Sequence, residues 1–185
     1  MMKKTLWLVL AGLLSVLICQ PARAGTIGIG MRAAYVTDRQ TDASSGMTGL
    51  FTRIHDGVLG LEAAVDYRRE NLGSGISRRT WPVTASLAIY PLPEIYALAG
   101  LGWYNTTLDL PKGSQYSDRT KTRLGYHLGA GVELAVLPSL RLIADGRYHF
   151  VDYKFRDIPS EIGHRRADFF SLNAGVAIFL PPFSR

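Results

Sequence analysis

The sequence predicts an all-β chain, an eight-stranded antiparallel up-and-down barrel that crosses a membrane with its strands. Three observations predict it. Eight segments alternate apolar with small or polar residues at a period of two, tight turns alternate with long polar connections, and an export signal precedes a chain with no apolar run long enough for a membrane helix.

The 185 residues are one domain's worth of chain, and 47% hydrophobic with 19% charged residues exclude a disordered protein. The 19 Gly and 9 Pro favour strands and tight turns over helical bundles. Lys3 and Lys4, the apolar run from Leu6 to Ile18 and the small residues of Ala22-Arg23-Ala24 read as a signal peptide over 1–24, leaving 25–185 as the barrel domain. That run is too short to span a bilayer comfortably. Ile18 stands where lipoprotein signals have Gly, Ala or Ser, so Cys19 is not read as a lipid attachment site. Cys19 is the chain's one cysteine, which excludes a disulfide framework and a cysteine-based zinc site. Losing Lys3, Lys4 and Arg23 lowers the basic residues from 21 to 18 against 15 acidic ones, a change from +6 to +3. Nucleic acid is not an expected partner of an exported chain of such mild charge.

The strands follow in order. Ile27, Ile29, Met31, Ala33 and Tyr35 alternate with Gly28, Gly30, Arg32 and Ala34. Met47 to His55 is the weakest strand and its facing is open. Leu59, Leu61, Ala63, Val65 and Tyr67 oppose Gly60, Glu62, Ala64, Asp66 and Arg68, and Trp81, Val83, Ala85, Leu87 and Ile89 oppose Thr84, Ser86 and Ala88. Ile95 to Tyr104 is apolar on both faces, with Gly100 and Gly102 assigned inward. Leu124, Tyr126, Leu128, Ala130, Val132 and Leu134 oppose Gly125, His127, Gly129, Gly131 and Glu133. Leu140, Leu142, Ala144, Tyr148 and Phe150 oppose Arg141, Asp145, Arg147 and His149, and Phe170 to Leu180 closes the set. Asp56-Gly57, Pro91 to Glu94 and Leu137-Pro138-Ser139 are tight turns at one end; Asp38–Gly46, Glu70–Arg78, Asn105–Thr120 and Lys154–Arg166 are long outer loops.

Alternation alone does not separate a membrane barrel from a soluble periplasmic ligand-binding barrel, which would turn its apolar face inward. Three features favour lipid outside. Aromatics gather near the long loops (Tyr35, Tyr67, Trp81, Trp103, Tyr126, Tyr148, Phe150, Phe170), as an interfacial girdle would. Glycines crowd the polar face, where a narrow lumen needs the space. Charges of both signs fall at mid-strand: Arg32, Glu62, Asp66, Arg68, Glu133, Arg141, Asp145 and Arg147 are read as one packed internal network, because buried charges must be paired.

The segments from Tyr96 to Asn105 and from Leu124 to Tyr153 resemble the small eight-stranded outer-membrane barrels of the opacity, OmpX and OmpA type. A Gly-x-Gly-aromatic strand (Gly100, Gly102, Trp103), a Gly-Ala-Gly-Val-Glu strand (Gly129 to Glu133) and a strand reaching Arg147-Tyr148 carry the resemblance, which extends loosely over the exported chain. It implies a place in the outer membrane of a Gram-negative bacterium, and contact with outer-membrane lipids and the barrel-assembly machinery. Such barrels end on an aromatic read by that machinery. Here Phe179 is followed by Leu180-Pro181-Pro182-Phe183-Ser184-Arg185, so the signal falls on Phe183 or Phe179.

No catalytic residue is assigned. A lipid A-modifying barrel enzyme needs a nucleophile, a histidine base and an acid to orient it. His127 and Glu133 share a face but stand about 20 Å apart at strand rise, and the His-x-Ser-Asn signature of lipid A deacylases is absent. Ser86 or Ser171 could still meet a histidine from another strand, which keeps the acyl hydrolase or transferase as an alternative. No metal or cofactor is expected: His55, His127, His149 and His164 are scattered without ligand spacing. Eight strands enclose a lumen that side chains can fill, so no diffusion channel is expected. The remaining signal is basic residues at the loop end: Arg69, Arg78, Arg79, Lys121, Arg123, Arg165 and Arg166 are candidates for lipopolysaccharide phosphates, mixed with Asp109, Asp118, Asp157 and Glu161. The expected role is therefore non-enzymatic, in surface interaction or envelope structure, with the extracellular ligand unnamed.

Overall fold

A computed structural model describes residues 26–38, 44–73, 76–109, 119–154, 164–166 and 168–180. The expected signal peptide lies outside them. The strands are β1 (Thr26–Asp38), β2 (Ser44–Asp56), β3 (Leu59–Gly73), β4 (Ile76–Leu92), β5 (Ile95–Asp109), β6 (Arg119–Ala135), β7 (Leu140–Lys154), β8 (His164–Arg166) and β9 (Phe169–Leu180). Neighbours from β1 to β7 pair antiparallel, and β9 pairs with both β7 and β1. Those eight strands close a barrel with no free edge, as hydrocarbon requires of backbone that must satisfy itself. No helix among the described residues is long and apolar enough to cross a membrane.

Burial follows the period of two, and its sense is inverted relative to a soluble protein. Ile29 and Leu50 are each 64% exposed, while Arg53 is 0% and Arg147 2% exposed. Water would not tolerate so continuous an apolar outer face, and lipid demands it; the soluble barrel is thereby excluded. The girdle faces out as well: Tyr35, Tyr67, Trp81, Trp103, Tyr126 and Phe170 are exposed, and Tyr126 stacks on Phe150 at 4.7 Å between ring centroids.

β2 resolves the facing that its sequence leaves open. Met47, Phe51 and Arg53 are buried inward and Leu50 and Ile54 point to lipid. At the tight-turn end, Gly57 has φ 57°, a value that follows from reversing the chain in so few residues and that disfavours a side chain.

At the other end, all four expected loops are corrected: in the first, Ser44, Ser45 and Gly46 belong to β2 and pair with Thr37, Val36 and Tyr35. The β3–β4 ladder continues through Glu70↔Arg78 to Gly73↔Ile76, and β5–β6 pairs as far as Leu108↔Arg119. Polar pairs carry the ladders upward: Arg78 Nε donates to Glu70 Oε2 at 2.6 Å, Thr122 Oγ1 to Asn105 Oδ1 at 2.7 Å, and the hydroxyls of Thr107 and Thr120 lie 2.9 Å apart. In the fourth connection, β8 pairs Arg166, Arg165 and His164 with the end of β7.

The lumen is layered. Phe51, Tyr90, Tyr96, Leu98, Ile143 and Phe179 pack near the tight turns, and Ala34, Val36, Met47, Tyr104, Val151 and Phe169 near the loops. Phe179 faces inward over Gly28, where a Cβ would stand 2.7 Å from its Cζ. Phe183, the other candidate for the terminal recognition aromatic, lies outside the described residues.

Candidate functional site

Between the two apolar layers runs a continuous ion network. Arg32 on β1 forks onto Asp66 on β3 (Nε–Oδ1 2.8 Å, Nη2–Oδ2 2.6 Å) and reaches Glu62 Oε1 at 3.0 Å. Arg147 on β7 forks onto Asp145 (2.7 and 2.9 Å) and donates across the lumen to the same Glu62 Oε1 at 2.7 Å. Arg53 on β2 bonds Glu62 Oε2 and donates from Nη1 to Glu133 Oε2 on β6 at 2.7 Å; Arg141 on β7 donates to Glu133 Oε1 at 2.5 Å. Tyr90 and Tyr96 donate to Glu133 and Asp145, each at 2.8 Å. Four guanidinium groups thus meet four carboxylates. Buried ions need this degree of pairing, because an unmatched one would carry its full desolvation cost.

Of the predicted network residues, the structure joins Arg32, Glu62, Asp66, Glu133, Arg141, Asp145 and Arg147. Arg68 is also buried inside, but it pairs with Glu70 nearer the loops. Arg53 is the member that sequence reasoning missed. Its guanidinium lies 4.5 Å from the Tyr96 ring centroid and touches two carboxylates, so it is the hub on the β2 side. The signal was present: Phe51 and Arg53 alternate against Leu50, Thr52 and Ile54.

Above the ions lies a neutral layer. Ser86 Oγ on β4 stands 2.8 Å from His127 Nε2 on β6. His149 on β7 lies between the Tyr104 hydroxyl (Nδ1, 2.8 Å) and Ser171 Oγ (Nε2, 3.0 Å), and its ring stacks on Phe169 at 4.3 Å. The barrel thus brings each candidate serine to a histidine. Neither pair has the rest of a hydrolase site: His127 Nδ1 has no hydrogen-bond partner among the described residues, and no carboxylate orients either ring. Both pairs are buried in the lumen, facing away from the lipid on which an acyl-modifying enzyme would act. Among the described residues, no group of three or more His, Cys, Asp or Glu could hold a metal ion.

The basic rim divides by face. Arg69 is exposed and Arg79 half-buried, both on the outer, lipid-side face of the β3–β4 hairpin, directly opposite each other. Arg78 lies on the inner face against Glu70. Lys121 and Arg123 share the face of Gly125 and His127, so they line the lumen mouth rather than the lipid side. Arg165 and Arg166 sit on β8, and their side chains lie outside the described residues.

The family model described as outer membrane protein beta-barrel domain matches residues 8–180. The chain belongs to that family. It is a β-barrel of the Gram-negative outer membrane, crossing with its strands. Its backbone is similar to neisserial surface protein A (TM-score 0.64, 17% identity, covering 89% of this chain and 100% of that one). It is also similar to OprG of Pseudomonas aeruginosa (TM-score 0.56, 15% identity, 86% and 97% covered). A third likeness is to the attachment invasion locus protein Ail of Yersinia pestis, solved with the heparin analogue sucrose octasulfate (TM-score 0.53, 18% identity, 84% and 97% covered). No curated protein matches the chain.

Proposed function

We propose that this outer-membrane barrel is a non-enzymatic, non-conducting surface protein whose exported chain begins at Gly25 and whose basic rim contacts the phosphate groups of lipopolysaccharide. The observation that carries this reading is the ion network: eight charged side chains from five strands bridge the lumen and fill its middle. Arg69 and Arg79 support the lipid contact, since guanidinium forks suit phosphate and both face the leaflet. Ail was solved with a polyanionic sugar, and the cationic rim here suits ligands of that charge. Insertion by the barrel-assembly machinery belongs to the same reading.

The Ser86–His127 contact is the one observation that favours an enzyme, so the test addresses it. Lipid A extracted from cells with and without the protein should give identical mass spectra, and N-terminal sequencing of the outer-membrane fraction should start at Gly25. An acyl chain lost or gained with the wild-type protein, and restored by Ser86→Ala, would overturn the non-enzymatic reading.

A further inference from the structure

The half of the lumen nearer the loops holds two buried imidazoles face to face. His127 and His149 stand directly opposite each other on β6 and β7, their ring centroids 5.3 Å apart. Among the described residues their hydrogen-bond partners are hydroxyls alone, Ser86 for His127 and Tyr104 and Ser171 for His149. Neutral rings suit that setting. Asn173 Nδ2 donates to Asp145 Oδ1 at 2.8 Å and to Ser171 Oγ at 3.2 Å, so the Ser171 hydroxyl can donate its own proton to His149 Nε2, and the Nδ1 proton then goes to the Tyr104 oxygen. An imidazolium donates from both nitrogens. Ser171 Oγ would then accept twice and its buried proton would lose its acceptor.

Charge is the larger obstacle. The ions acting on the two rings are Arg147 and Asp145 on β7, Arg32 on β1 and Glu62 on β3. The carboxylates are already committed: Glu62 accepts from Arg32, Arg53 and Arg147, Asp145 holds the Arg147 fork, and Asp66 holds that of Arg32. On the mouth side, Phe169 stacks on His149 and the Arg68 guanidinium lies 5.8 Å from the far ring's centroid, paired with Glu70. From β2, β4, β5 and β9 come Met47, Thr84, Ser86, Tyr104, Ser171 and Asn173, which bring no charge at neutral pH. A proton arriving on either ring thus meets guanidinium groups and the other ring, with no carboxylate bonded to it.

We propose that the His127–His149 pair is an acid-sensitive latch, closed while both rings are neutral and sprung when acid protonates one, so that the loop-side half of the lumen loosens while the ion network below it holds. Histidine is the side chain whose ordinary titration lies nearest neutrality. The sign follows from proton counting: an imidazole kept neutral in the fold but free to charge in the unfolded chain makes stability fall as pH drops below about 6.5.

Two measurements test the latch, on protein whose folding is checked by heat-modifiability on gels. In urea unfolding from lipid vesicles, the wild-type midpoint should fall between pH 7.5 and pH 5, most of that fall should vanish in His127→Gln/His149→Gln, and the fall should persist in His55→Gln at the tight-turn end. If the double variant does not fold, His149→Gln alone carries the comparison. In amide exchange followed by NMR in micelles, corrected for the intrinsic effect of pH, Gly102, Gly125 and Val151 should exchange about tenfold or more faster at pH 5, with Glu62 and Glu133 unchanged. An equal fall in the histidine variants would overturn the proposal in favour of the carboxylates. A wild-type barrel indifferent to acid in both measurements would sink it, and equal acceleration in both layers would replace the latch with global loosening.

Discussion

Two layers of one lumen, built by the same strands on the same alternation, are satisfied to different degrees. In the ion network each carboxylate is met by at least two donors, and Glu62 alone accepts from Arg32, Arg53 and Arg147. In the histidine layer above it, His127 Nδ1 and Thr84 Oγ1 are buried without a hydrogen-bond partner among the described residues, whereas in the ion network Arg141 Nε is the one guanidinium nitrogen so placed. The difference shows what the layers do. Ions in a low-dielectric lumen have to be matched across the barrel, so they tie β1, β2 and β3 to β6 and β7. Neutral groups survive a missing partner at far smaller cost, so the histidine layer fills space and adds little to closure.

Substitutions can break that contrast, and a graded series is expected in urea unfolding from lipid vesicles, followed through Trp81 and Trp103. Glu62→Ala removes the acceptor shared by three arginines and should cost about 3–5 kcal/mol, the range for uncompensating a buried ion. Glu133→Ala should cost less, about 1–3 kcal/mol, because Arg53 keeps Glu62 and the Arg141 side chain is 22% exposed and can hydrate. Ser86→Ala should cost about 1 kcal/mol, the loss of one neutral hydrogen bond. A Ser86→Ala cost equal to that of Glu62→Ala would erase the distinction between the layers.

Most of the barrel was legible because the membrane imposes a strict period of two on both faces at once. Gly28, Gly30 and Gly102 lie on the lumen side where the pattern puts them, and the girdle residues point out. What failed has physical causes. Met47 to His55 carries Gly49 inward and Thr48 and Thr52 outward, so hydropathy does not separate its faces, and Arg53 was overlooked with it. The extended ladders above the girdle are held by polar pairs such as Glu70–Arg78, which in sequence look like loop composition. Ser86 and His127 are 41 residues apart, a pairing that only register reveals.

The central claim is that ion pairing closes the lumen, and electrical recording in planar bilayers tests it most directly. Purified wild-type protein should give no stepwise conductance, whereas Arg147→Ala, which removes the link between Glu62 and Asp145 across the barrel, should give brief openings or a raised leak. Steady, porin-like conductance steps from the wild-type barrel would contradict the account.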